Sequence, residues 1–507
     1  MNKAKKFFVN LGMSIVSQVI ILFLGFVIPR IIMLSYGSDT NGLTSTITQI
    51  FTYLSLLEAG ISQATRNKLF KPINEDNRGE ISYWLSVSRH YFRKISAIYF
   101  CVVLVIAFIF PLVLKTNVGY WTVTFYILFE GLTSVVSFYF INTWVTFLTA
   151  KGDMYVVNSL TLLNKLLCYG VKILLALFGL NIALIQVGFF AVSIIQVVLY
   201  FIYMKKKYNW IDYSVPVKDA ALSDRNSYII IEIAWTIFSS TDMILLSVFV
   251  STQMSSVYSV YNLPFVALNS LLNAVYCALN YNLGITYHEN LQKYMKVHDM
   301  FNSLFVGGMT ILMSVTYVLL IPFIKLYTQG VTDVNYIYPI LPLLFCLVQM
   351  LSWSRMVSGN LFGVAGKIRS VVTISVVEAV TNLTLSVILV QICGIVGVLI
   401  ATVAALPLKL IYCNYMADKV ILKRSLFKTL TILGINWGIF SVVVLINPLL
   451  NLHITSYFSF ALCGCVVFAV ISIVSVVLNV IVNRDLLRIK MFFSAKKDKK
   501  KGDFDEI

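Results

Sequence analysis

The sequence predicts an all-α, polytopic membrane protein of about fourteen transmembrane helices, and three observations carry that prediction. Hydrophobic residues make up 59% of the 507 and charged residues only 12%, about half the charged share of a soluble domain. Apolar runs long enough to cross a bilayer, about 20 residues each, recur from end to end. Basic residues alternate between the breaks that separate those runs, abundant in one set and nearly absent from the other. A chain this apolar has no surface to present to water, and lipid is the solvent that fits it.

Taken in order, Lys3, Lys5 and Lys6 precede an apolar run over 8–34. It exceeds the roughly 7–15 apolar residues of a cleavable signal, so it reads as a retained first span. The remaining spans fall near 42–65, 95–114, 120–149, 154–178, 182–204, 228–250, 255–283, 300–323, 335–358, 369–391, 394–416, 426–449 and 454–482. With the amino terminus inside, 32 of the 39 Lys and Arg residues lie in inside segments, Arg369 and Lys428 being counted there at the inner ends of their spans. Lys115 and Lys325 lie outside, and Arg30, Lys165, Lys172, Arg355 and Lys409 lie within spans. Cytoplasmic loops carry the excess of basic residues, so both termini are expected in the cytoplasm. The net charge of +17 is then a topological signal and not a nucleic-acid footprint. The tail lysines from Lys496 to Lys501 suit anionic headgroups of the bilayer. The eight cysteines lie in apolar segments and read as small apolar side chains, not as a disulfide framework.

Two inside loops are long, 66–94 and 205–227. The second divides spans 1–6 from spans 7–12, and each group begins inside, which is the arrangement of parallel repeats about an axis along the membrane normal. The predicted domains are a first lobe over 1–215, a second over 216–420, and two further helices with a basic tail over 421–507. The last two spans carry few polar residues, which suits lipid-facing packing. Outside loops are short, and Asp39 and Asp333 are the acids they hold. An enzyme acting there on sugars would need paired carboxylates and room for a cleft. The sequence also has no Gly-rich phosphate loop and no zinc spacing. No catalytic residue, metal or cofactor is expected.

Polar side chains at membrane depth are the functional candidates, and residues 3, 4 or 7 apart share a helix face. The eighth span carries Asn262, Asn269, Asn273, Tyr276 and Asn280, spaced 7, 4, 3 and 4. The seventh carries Glu232, Trp235, Ser239 and Asp242, the fifth Asn158, Lys165 and Lys172, and the eleventh Ser375, Glu378, Asn382 and Ser386. Asn and Ser bridge packed helices, for an average of about 0.6 kcal/mol, so interhelical glue is one reading. A stripe of Asn lining a wet cavity is the other, and the stripe on the eighth span favours it. Sugars need paired donors and acceptors, and Tyr276 offers a ring face. Pro29 leaves the Gly25 carbonyl without its usual partner, which predicts a hinge there. Pro264 interrupts the Asn stripe and predicts a second hinge.

Pro29-Arg30-Ile31-Ile32, Tyr36-Gly37-Ser38, Asn41-Gly42-Leu43 and Leu56-Leu57-Glu58-Ala59-Gly60-Ile61 together resemble the first two helices of bacterial Wzx-type flippases. These belong to the polysaccharide transporter family of the multidrug/oligosaccharidyl-lipid/polysaccharide exporter superfamily. Ala150-Lys151-Gly152-Asp153 is also similar to the family's pattern. The resemblance implies two six-helix lobes around a central cavity in the bacterial cytoplasmic membrane. It implies transfer of undecaprenyl-pyrophosphate-linked oligosaccharide between leaflets for O-antigen, capsule or exopolysaccharide, with a proton or sodium ion as coupling ion and polysaccharide polymerase machinery as a partner. Arg30 and Lys165, with Lys172 beside them, are then candidates to hold the pyrophosphate, because neither of the first two has an acid at equal depth on its hairpin neighbour. Asp242 is the candidate ion site with Asn262 as co-ligand. Glu378 is a second, with Lys409 at similar depth across the turn near residue 392. The alternatives are a cation-coupled drug exporter of the same superfamily and, from another class, a membrane-embedded polysaccharide polymerase or ligase.

Overall fold

A computed structural model describes residues 3–216, 236, 241–365, 367–450, 452 and 454–488. Among them there is no strand. The helices are α1 (Lys3–Asn74), α2 (Arg78–Val113), α3 (Tyr120–Val136), α4 (Asn142–Ala150), α5 (Met154–Leu177) and α6 (Ile182–Lys207), then α7 (Thr241–Val250), α8 (Thr252–Glu289), α9 (Leu291–Tyr327), α10 (Leu341–Trp353) and α11 (Met356–Val364). α12 (Ile368–Tyr415), α13 (Phe427–Ile446) and α14 (Tyr457–Val482) complete them. Ten helical stretches of the described residues are long and apolar enough to cross a membrane. The protein is a multi-pass, all-α membrane protein.

The first two spans form one helical element, interrupted at a single residue. Gly37 takes φ 82° and ψ 170°, a left-handed backbone that only glycine adopts without strain. Gly25 and Pro29 lie in helix that continues unbroken to that point, so the interruption falls eight residues beyond the proline. Span 4 is carried by α3 and α4 around a π-helical turn at Ser137–Ile141. Spans 11 and 12 share α12, which doubles back at Gly394 (φ 54°, ψ −129°). The pairs Asn382–Thr402 (2.9 Å) and Tyr412–Ser370 (3.2 Å) set the register of that hairpin. A Cβ at Gly397 would lie 2.1 Å from the Leu389 carbonyl oxygen, so glycine is what lets the two limbs touch.

The chain forms two compact units, Met1–Val260 with Gly330–Val334, and Tyr261–Gln329 with Asn335–Ile507. In the first, Leu43, Ile47, Tyr99, Val103, Tyr126 and Ile127 are buried together. A second core over the other end joins Leu85, Phe147, Tyr200 and Met204. In the second unit, Phe345 stacks on Phe265 at 5.4 Å and on Tyr261 at 6.1 Å. These rings flank Pro264, and α8 stays helical through it, as membrane helices tolerate proline where packing supports them.

Helices α13 and α14 pack on α9 and are joined to each other by amides. Asn436 and Asn479 exchange hydrogen bonds at 2.9 and 3.0 Å, and Asn483 donates to Ser303 Oγ at 3.1 Å. All three asparagines are buried. Gly307 makes room for the pair, since a Cβ there would lie 3.1 Å from Asn479 Nδ2. These asparagines of the last two helices thus face protein, while exposed apolar side chains such as Phe458, Leu462 and Ile473 present a lipid-facing side.

Candidate functional site

A dense polar arrangement lies within the first unit, where α1 beyond Gly37 packs against α7 and the start of α8. Asp39, Gly42, Thr46 and Tyr53 recur at helical spacing on one face of α1. Asn41, beside them, donates to Ser256 Oγ at 2.8 Å and Ser259 Oγ at 3.3 Å. Thr46 shares a 2.5 Å hydrogen bond with Ser247, which bonds Ser255 at 2.7 Å. Tyr53 pairs with Thr241. Gly42 makes the approach possible: a Cβ there would lie 1.6 Å from the Thr252 carbonyl oxygen and 2.8 Å from the Ser256 nitrogen. This explains the Asn41-Gly42 pair, one residue bonding across the seam and the next removing its side chain. From Asp39 to Tyr53 the seam runs about 21 Å at 1.5 Å per residue.

The end of the seam nearest Gly37 is tied by carboxylates. Ser38, the first residue after the break, donates its amide to Asp333 Oδ2 and its hydroxyl to Asp333 Oδ1, both at 2.7 Å. A distant carboxylate thus caps the renewed helix, where the backbone dipole favours negative charge. Asp39 accepts from Thr116 Oγ1 at 3.0 Å, the Asn117 amide at 2.7 Å and the Thr252 hydroxyl. The backbone of Lys115 bonds Ser247 and Thr252 at 3.0 and 3.1 Å. Asp39 and Asp333 therefore hold structure together.

Asp242 lies further along the same seam. It is buried, and its Oδ2 accepts from Tyr258 Oη at 2.9 Å. Its Oδ1 has no hydrogen-bond partner among the described residues, and no base pairs with it there. Sequence arithmetic puts its neighbour near Asn262 and Pro264. The structure places Tyr258 opposite, one helical turn earlier. Glu232 and Trp235 lie outside the described residues.

The cations predicted to bind anion are distributed over the first unit. Arg30 is half-buried, seven residues before Gly37. Lys165 lies 5.7 Å from the Tyr169 ring centroid and Lys172 4.3 Å from that of Phe189. Counting outward from the turn near residue 151 puts Glu130 at a depth similar to that of Lys172; Glu130 is bonded by Gln186, and no ion pair joins Glu130 to either lysine among the described residues. Asn158 donates to Ser14 Oγ at 2.7 Å, a helix-bridging bond.

On α8, Asn269 accepts from the Trp353 indole at 2.8 Å, so this member of the stripe bridges α8 and α10. Tyr276 joins the same group through Phe305, whose ring lies 6.1 Å from Tyr276 and 5.7 Å from Trp353. Asn262 is half-buried and Asn273 exposed. The side chain of Asn280 lies outside the described residues.

Glu378 is held by two bases. Arg355 pairs with one carboxylate oxygen, and Lys409 lies 3.6 Å from the other, the depth at which the α12 hairpin puts it. Arg355, on the turn between α10 and α11, is a partner that span-by-span reading missed, because hairpin arithmetic reaches sequence neighbours alone. The hydroxyls of the seam were also missed. Their signal is Ser251, Thr252, Ser255, Ser256 and Ser259 crowded into nine residues of an apolar chain.

No family model and no curated protein sequence matches the chain. Solved structures do. The lipid II flippase MurJ in an inward closed conformation aligns at TM-score 0.68 and 13% identity over 94% of this chain and 99% of that one. An inward-facing multidrug resistance MATE family transporter of the MOP superfamily aligns at 0.62 and 13% over 80% of this chain and 98% of that one. A MATE structure in the bent conformation aligns at 0.52 and 14% over 82% and 94%. The chain has the fold of MOP-superfamily transporters.

Proposed function

We propose that this protein is a flippase, not an enzyme, that moves undecaprenyl-pyrophosphate-linked oligosaccharide across the bacterial cytoplasmic membrane by alternating access. Both termini are cytoplasmic, 1–215 and 216–420 are the repeated lobes, and the product feeds O-antigen, capsule or exopolysaccharide assembly by a polymerase. The observation that carries this reading is the extent of the likeness: it takes in 94% of the chain for the lipid II flippase but 80% for the multidrug transporter. The packing of α13 and α14 on α9 supports it, because it makes those helices part of the packed body.

The chemistry fits an anionic cargo. A pyrophosphate crossing an apolar core loses its hydration, and fixed cations replace part of it. Arg30 grips phosphate oxygens as a fork, while Lys165 and Lys172 act as mobile point charges. Asn262, Asn269, Asn273, Tyr276 and Asn280 contact sugar, with Asn269 exchanging its Trp353 bond for the cargo. Asp242 and Glu378 are the ion-coupling acids, taking a proton or sodium, and Gly25, Pro29 and Pro264 are the hinges. The test is flipping of a fluorescent lipid-linked oligosaccharide in proteoliposomes. The Arg30→Ala, Lys165→Ala double variant should slow it at least tenfold, and Arg30→Lys should keep part of the rate. A double variant at wild-type rate would remove this anion path. Wild-type export of cationic drugs without flipping would replace the reading with the drug exporter.

A further inference from the structure

The first unit holds a cavity of about 260 Å³ that plays no part in the reading above. It lies where α6 ends in Lys205, Lys206 and Lys207 and the chain folds back beneath α4. Trp144, Phe201, Lys205, Tyr208, Asn209 and Tyr213 line it. Its floor is built. Trp144 Nε1 donates to Tyr213 Oη at 3.1 Å, and the returning segment is pinned to α2 by Ser82 and Ser86, each 3.3 Å from the Asp212 backbone.

The charges around it are lopsided. Lys205 lines the cavity, Arg89 stacks 4.8 Å from the Tyr213 ring centroid, and Lys151 and Lys207 lie 4.4 and 5.3 Å from that of Tyr208. Among the described residues two acids are near, and both are engaged. Asp153 accepts from Tyr208 Oη at 2.7 Å and pairs with Lys207 at 3.5 Å. Asp212 accepts from the amide and hydroxyl of Ser214 at 2.8 and 2.6 Å. Phe201 is 52% exposed, so the cavity opens along the helix flank that faces lipid. Aromatic rings at headgroup level suit a molecule with one apolar and one polar end, and the excess cations select negative charge.

We infer that this cavity binds the phosphate-bearing headgroup of an anionic lipid in the leaflet at the Lys205 end, with Lys205 and Asn209 on the phosphate and Phe201 beside the acyl chain. That leaflet is the inner one if the topology proposed above holds. Binding itself does not depend on what the protein transports, so the test is independent of the flippase reading.

A surface lysine attracts anionic lipid wherever it sits, by about fivefold in affinity, so the decisive comparison is between neighbours. Purified protein in zwitterionic micelles is titrated with phosphatidylglycerol, and bound lipid is counted by native mass spectrometry. Lys205→Gln should weaken the tightest-bound phosphatidylglycerol twentyfold or more, and Lys206→Gln, the same charge change outside the cavity, by no more than the general fivefold. Phe201→Ala, which removes no charge and alters an exposed side chain, should weaken it severalfold. Equal losses in the two lysine variants would reduce the site to general surface attraction. Equal binding of phosphatidylcholine by the wild type would overturn the anion preference. Displacement of the lipid by millimolar glycerol 3-phosphate would reassign the cavity to a soluble phosphate.

Discussion

Gly42→Ala is the sharpest perturbation of the seam. The added methyl would lie 1.6 Å from the Thr252 carbonyl oxygen and 2.6 Å from its carbon, where van der Waals contact needs roughly 3.5 Å. Both atoms are backbone, so no side chain can swing aside, and α1 and α8 must part by about 2 Å. Overpacking of this kind costs about 1–3 kcal/mol, and parting the helices also strains the Asn41 bonds to Ser256 and Ser259, worth about 1 kcal/mol each. Alanine gains about 1 kcal/mol of helix propensity over glycine, but α1 stays helical with the seam open or closed, so that gain cancels between the two states. The remainder, about 3 kcal/mol, moves the open-to-closed ratio by about two orders of magnitude. The assay is the labelling rate of a cysteine at Thr46, in an otherwise cysteine-free background, by an impermeant maleimide added outside. Gly42→Ala should raise that rate at least tenfold. An unchanged rate at unchanged protein level would refute the claim that the seam is held shut by this backbone contact.

Three further outcomes follow from the same geometry. Asp242→Asn keeps the Tyr258 bond but cannot gain or lose a proton, so it should abolish gradient-driven transport while retaining substrate binding; full activity would remove Asp242 from the mechanism. Asn436→Leu or Asn479→Leu alone leaves the other residue's buried amide oxygen unpaired, while its Nδ2 keeps the Ile432 or Ser475 carbonyl, and should destabilise the protein by about 1–2 kcal/mol, whereas the double substitution should recover most of it; strictly additive melting shifts would show that the pair is not coupled. Cysteines placed at Ser38, Asn181 and Asn451 should react with an impermeant reagent outside sealed cells and one at Lys218 should not, Asn451 and Lys218 both lying outside the described residues; labelling at Lys218 would break the proposed topology.

The sequence by itself determined that the chain crosses a membrane many times, because hydropathy and the distribution of Lys and Arg are properties of short segments that lipid reads directly. It also placed Glu378 and Lys409 together, because a hairpin's register follows from counting outward from its turn. The tertiary structure decided which polar residues meet when they are far apart in the chain. The Asn41-Gly42 pair was visible as a motif, but its meaning depends on Thr252 and Ser256, more than 200 positions away. Asp39 and Asp333 read as free outside acids until Ser38, Thr116 and Thr252 were found to engage them. Arg424 lies 2.7 Å from both the Asp299 and Asp418 carboxylates and Lys428 3.2 Å from Asp299, and Asp299 is more than 100 positions from either base in the chain. The physical reason is the same in each case. A helix satisfies its own backbone and announces itself locally, whereas a buried polar side chain is satisfied by whichever helix the fold brings against it, and no local pattern names that helix.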